Sequence, residues 1–164
     1  MNIQFMTKQK NDRKLLVLFA FFLSSGVLAQ TVNHFPAEGA KQQIQMKIDH
    51  LLDNLKEGNV AVLESYHYNG EESSYFTKRG LLDYDGIVAL ESGFFSSLRN
   101  FDSQVHNLRV DLVGSGKDVA ICTFIYSYSG IFRDTPIARE GLKVSAIFIK
   151  TGDEWQVVHK NVSE

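Results

Sequence analysis

His159, Asn161 and Ser163 follow Trp155 and Val157 at alternate positions of the closing segment "GDEWQVVHKNVSE", residues 152–164. Alternate side chains of a strand share a face, so this spacing predicts one surface running from apolar to polar. An imidazole, an amide and a hydroxyl on one surface are equipped for hydrogen bonding and proton transfer, and histidine titrates near neutral pH. With Tyr126 or Tyr128 across the sheet, His159 would act as acid or base in a dehydration or cyclisation. The competing reading has it only hydrogen-bonding its neighbours. Asn161 and Ser163 would face whatever enters, and Trp155 would seal the interior.

Arg139 would either meet an anionic ligand or pair with an acid at a rim. Tyr84 and Phe94, with Tyr66, Tyr68, Tyr75 and Phe76, supply enough aromatic surface to line a pocket, with burial in the core as the competing reading. The acids read as structural: Asp85 is expected to cap a helix, with Asp83 beside it. Asp111 shares an outward face with Asn107 and Arg109, and Glu91 lies beside an apolar helical stripe, where a solvated role is expected. His34, His50, His67 and His106 have no metal-ligand spacing, so no metal is expected. No phosphate loop, nucleophile elbow or dinucleotide fingerprint is present, and no cofactor is expected. Cys122, the only cysteine, lies in the apolar "DVAICTFIY" and reads as a small buried hydrophobe.

The elements that must position these groups begin after a targeting segment. Lys8, Lys10, Arg13 and Lys14 precede the apolar "LLVLFAFFL" and the small residues of "SSGVLAQ". This is the layout of a secretory signal peptide over residues 1–29, and it implies a periplasmic or secreted protein with no stable membrane anchor. Residues 30–36 read as a flexible leader and 37–164 as one domain. The formal net charge of −2 gives no electrostatic case for nucleic acid.

Ile44, Ile48, Leu51, Leu52 and Leu55 predict a helix from Ala37 to about Lys56. Ile87, Leu90, Phe94, Phe95 and Leu98 predict a second within "DYDGIVALESGFFSSLRNF". Between them "SSYFTKRGLLDYDG" reads as a short strand pair. "VHNLRVDLV", "VAICTFIYSYSGIF", "LKVSAIFIK" and the closing segment read as antiparallel meander strands, an α+β layout. Ala120, Cys122, Phe124 and Tyr126 oppose Val119, Ile121 and Ile125, and Val144, Ala146 and Phe148 oppose Ile147 and Ile149. Strands apolar on both faces need a cover for the outer one, and a second copy of the chain is the expected cover.

The order of an amphipathic first helix, "YF…LLDYDG", "DVAICTFIYSY", "AREGLKVSAIFIK" and "GDEWQVVHKNVSE" resembles the nuclear transport factor 2-like superfamily, in particular its SnoaL-like branch, over residues 40–163. The resemblance implies a cystatin-like cone: a strongly curved antiparallel sheet packed against N-terminal helices, with a pocket at its open end. It also implies a homodimer through the outer sheet face. Members range from isomerases, dehydratases and cyclases to non-catalytic association modules, so the fold leaves the activity open. Isomerase chemistry needs a carboxylate base facing an apolar pocket, and no acid reads as placed for it. The expected function is therefore binding of a small, mostly apolar or aromatic molecule. The alternatives are a lyase or isomerase using His159 with a tyrosine, and a protein-interaction module.

Overall fold

The computed structural model describes residues 37–164; the signal-peptide and leader expectations, residues 1–36, lie outside the described residues. Helix α1 spans Ala37–Lys56 and the single-turn α2 spans Val62–Tyr66. Strands β1 (Ser74–Thr77) and β2 (Gly80–Leu82) lead into α3 (Tyr84–Phe95). Four long strands complete the chain: β3 (Leu98–Val113), β4 (Val119–Phe132), β5 (Thr135–Thr151) and β6 (Glu154–Ser163). They form one curved, unclosed sheet of order β2-β1-β6-β5-β4-β3.

The apolar spacing of α1 does what it predicts: Ile44, Ile48, Leu51 and Leu55 are buried against the inner face of the sheet. The N-cap of α3 is Asp83 rather than the expected Asp85. Asp83 is extended, and its carboxylate accepts the Gly86 N–H at 2.9 Å, satisfying one of the free donors of the first turn. The β3 strand begins at Leu98, directly after α3, and is longer than the segment the alternation marks out. The sheet is also not wholly antiparallel, because β1 runs parallel to β6, pairing Tyr75 with Lys160.

Curvature comes from irregular positions in the long strands. The β3–β4 register slips between Arg99 and Asp102 and again between His106 and Arg109, and Asn100 and Asn107 hold positive φ at those places. The β4–β5 register slips between Tyr126 and Tyr128, opposite Gly141, which also has positive φ. Each slip adds a residue to one strand, bends it and increases its twist. Asparagine and glycine are the residues that tolerate this left-handed backbone.

A fourth slip decides which side chains look inward. Phe148 pairs with Val157, but the neighbouring Ile147 pairs with His159, so Val158 has no partner on β5. Before it, Trp155 and Val157 are buried. After it the phase is inverted: Lys160 and Val162 stand opposite the inward Ala146 and Val144. His159 and Asn161 stand opposite Ile147 and Ser145 on the other face.

Candidate functional site

A cavity of about 460 Å³ lies between α1, α3 and the inner face of β4, β5 and β6. Its walls are mostly apolar: Leu51, Leu52 and Leu55 of α1, Leu90, Phe94 and Phe95 of α3, and Val105, Phe124, Leu142 and Val144 of the sheet. Tyr66, Tyr126 and Tyr128 join them. The charged groups on its surface are Glu91 and Lys160, with Lys78 and Arg79 from the β1–β2 turn. A smaller hollow of about 350 Å³ shares Thr77, Lys78, Glu91, Tyr128 and Lys160 with it and adds Arg139 and Ser163.

Glu91 is the centre of the polar cluster. Helical spacing puts it four residues after the buried Ile87 and three and four before Phe94 and Phe95. It therefore projects from the middle of the apolar stripe rather than from beside it. One carboxylate oxygen accepts the Lys160 ammonium and the other lies 2.8 Å from His67 Nε2. Lys160 and Glu91 side chains are 17% and 19% exposed, so the pair sits in a largely dry setting.

His67 is fully buried, with its ring edge-on to Tyr75 at 4.8 Å and to Tyr66 at 5.3 Å. An ionised carboxylate only accepts, so His67 carries its proton on Nε2 and donates to Glu91, leaving Nδ1 buried without a partner. The neighbouring Tyr75 hydroxyl donates to the Val157 carbonyl at 2.8 Å.

The electrostatics follow. Burial alone would push the Glu91 carboxyl up, but the charge of Lys160 and the His67 hydrogen bond overcome it and bring the group down to about 2. Burial holds His67 below its ordinary value; its hydrogen bond to Glu91 opposes that shift and Lys160 adds to it. The phenols of Tyr66 and Tyr126 are pushed up, first by burial and, more weakly, by the nearby Glu91 charge. Burial pushes the Cys122 thiol up to about 12, which leaves it an inert core residue.

The structure distributes the expected site residues over several places. Tyr126, Tyr128 and Phe94 line the cavity, and Phe94 stacks on Phe132 at 5.3 Å. Arg139 and Ser163 border the smaller hollow, with the Arg139 guanidinium donating to the Ala138 carbonyl. Trp155 is buried, and its indole N–H donates to Gln43 of α1 at 3.1 Å. The Tyr84 hydroxyl donates to the Glu64 carbonyl and ties α3 to α2.

His159 and Asn161 are not in the cavity. His159 Nδ1 lies 3.1 Å from the Ser74 hydroxyl and its ring packs edge-on against Phe76, and Asn161 is exposed. The expected common face of Trp155, Val157, His159, Asn161 and Ser163 is broken at Val158, where strict alternation fails. The expectation of a solvated Glu91 is likewise reversed. His67, Glu91 and Lys160 were missed as a group because they come from three separate segments: the residue after α2, the middle of α3, and β6. The legible signal was Glu91 itself, flanked at helical spacing by Ile87, Phe94 and Phe95. Among the described residues no cluster of His, Cys, Asp or Glu could hold a metal ion.

No family model matches the chain, and no curated protein matches it in sequence. Solved structures do. A nuclear transport factor 2-like superfamily protein from Salmonella enterica serovar Typhimurium superposes with a TM-score of 0.64 at 17% identity, covering 78% of this chain and 92% of its own. A candidate dehydratase of the same family from Streptomyces avermitilis gives 0.67 at 12% identity, covering 78% and 97%. A type 2 hexachlorocyclohexane dehydrochlorinase gives 0.62 at 13% identity, covering 76% and 84%. The curved six-stranded sheet, the helices packed against it and these superpositions agree: residues 37–164 have the nuclear transport factor 2-like fold.

Proposed function

We propose that the protein is a binding module that holds a small, mostly apolar molecule in the cavity beneath α1 and α3 without transforming it. The observation that carries this is the state of Glu91. Among the described residues it is the one carboxylate on the main cavity's wall, and both its oxygens are engaged, by Lys160 and by His67. A general base works best with a pKa near the operating pH. A carboxylate held at about 2 is ionised but a feeble proton acceptor. Apolar walls with a few convergent polar groups are instead what small-molecule sites use for affinity and orientation. Lys160 spends one of its three donors on Glu91 and so keeps capacity for a ligand oxygen.

A lyase or isomerase is the second reading. Two of the solved structures that share the fold are named for elimination chemistry, and Tyr66 and Lys160 would be donors beside a carboxylate in an apolar cavity. His159 does not support this reading, since it lies on the other face of β6. The sheet's outer face carries Ile121, Ile125, Ile147 and Ile149, which supports a homodimer through that face.

The test is fluorescence titration with N-phenyl-1-naphthylamine, a neutral apolar dye. The native protein is expected to bind it at micromolar concentration, and Leu52→Trp, which grows the half-buried Leu52 into the cavity, is expected to weaken binding about tenfold or more. No binding by the native protein, or equal binding by a folded Leu52→Trp, refutes the proposal.

A further inference from the structure

The cavity is apolar, but its surroundings are not electrically neutral. Lys78, Arg79, Arg139 and Lys160 border the two adjoining hollows, against Glu91 and Glu164. This excess of cations sits on a chain whose overall formal charge is −2. The two acids are already used: Glu91 by Lys160, and Glu164 by Lys78 at 2.7 Å. The guanidiniums of Arg79 and Arg139 form no direct ion pair among the described residues; Arg139, whose charge reaches Glu164, gives one of its five N–H donors to the Ala138 carbonyl.

Both arginines are exposed, Arg79 on the turn between β1 and β2 and Arg139 on β5. They therefore mark the wet rim rather than the dry wall.

We propose that the ligand is an amphiphilic anion, with an apolar ring or chain in the cavity and one acidic group at the rim facing Arg79 and Arg139. This deepens the binding-module reading and rests on it. The acidic group belongs at the rim because the deeper cation, Lys160, is already neutralised. An acid placed beside it would also face the Glu91 carboxylate, a like charge in a poorly solvated setting. Among the described residues that line the hollows, both acidic side chains are already paired, which leaves none for a cationic ligand. A fully neutral one would leave Arg79 on the larger hollow and Arg139 on the smaller one without a role, while planar guanidiniums suit bidentate recognition of an oxyanion.

Two dyes that differ by one sulfonate separate the charge term from the apolar term: 8-anilino-1-naphthalenesulfonate and neutral N-phenyl-1-naphthylamine. At low salt the sulfonate is expected to bind about tenfold more tightly, and about 0.5 M NaCl should shrink that advantage to about twofold or threefold by screening. Arg79→Gln/Arg139→Gln should weaken the sulfonate about fivefold to tenfold while moving the neutral dye by less than about twofold. Equal binding of the two dyes, unchanged by salt and by the double variant, overturns the anionic class and leaves the cavity reading standing. Absence of binding by either dye removes both.

Discussion

Replacing Lys160 with methionine keeps most of the side-chain stem and removes the ammonium that faces Glu91. In the native protein Glu91 drops from its ordinary 4.5 to about 2. At 1.36 kcal/mol per pKa unit, that depression corresponds to about 3 kcal/mol of stability at neutral pH. The figure agrees with the roughly 3–5 kcal/mol lost when one member of a buried ion pair is removed, and exceeds the 0–1 kcal/mol typical of an exposed pair. The 19% exposure of the Glu91 side chain places it with the former.

The sign is fixed by the direction of the shift. A depressed carboxyl pKa contributes stability that is present above 4.5 and is lost as the pH falls towards 2. The deficit of Lys160→Met should therefore be largest at pH 7 and shrink below about pH 4.5, as Glu91 takes a proton in the folded variant. Urea denaturation from pH 7 to pH 3 measures this. Lys160→Met/Glu91→Leu, with no stranded charge, should recover most of the loss. A single variant within about 1 kcal/mol of the native protein at pH 7, or a deficit independent of pH, refutes the dry, charge-paired cavity wall.

Two further outcomes follow from the same geometry. His67 is held below its ordinary pKa of 6.5, so below pH 6.5 the unfolded chain takes up a proton that the folded chain resists. The stability linked to its neutral form is complete above that pH and declines as the pH falls, so His67→Phe should flatten the slope of the urea midpoint between pH 7 and pH 5; an unchanged slope counts against burial of the neutral ring. Asn107, with φ of +56°, should tolerate glycine but lose about 1–2 kcal/mol on substitution by valine, read by thermal denaturation. Equal stability of the two variants would mean that the left-handed backbone there is not needed.

Much of the scaffold was legible because it obeys simple periods. The stripe of Ile44, Ile48, Leu51 and Leu55 marks α1, and the apolar positions of β4 and β5 mark a sheet covered on its inner face. The site was legible only in part. Periodicity assigns a face only while the phase is kept, and Val158 breaks it. His159 and Asn161, read after that residue on the closing strand, were assigned to the wrong side. The parallel pairing of β1 with β6 was invisible for another reason: it joins segments more than eighty positions apart, and four residues of β1 carry no mark of direction. Glu91 was misjudged by residue type, since a carboxylate is usually solvated unless its partners are known. Those partners, His67 and Lys160, come from other elements.

Val158 also bears on how such a protein changes. Inserting one residue directly after it, with the bulge kept, would move the rest of β6 on by one ladder position, placing His159 and Asn161 opposite the inward Ala146 and Val144 and turning Lys160 to the other face. The ammonium would be exchanged for an imidazole and an amide in one genetic event, with the other strands untouched. A scaffold whose recognition groups hang on an unpaired residue can thus swap its whole complement of polar contacts at once, a route that stepwise substitution does not offer.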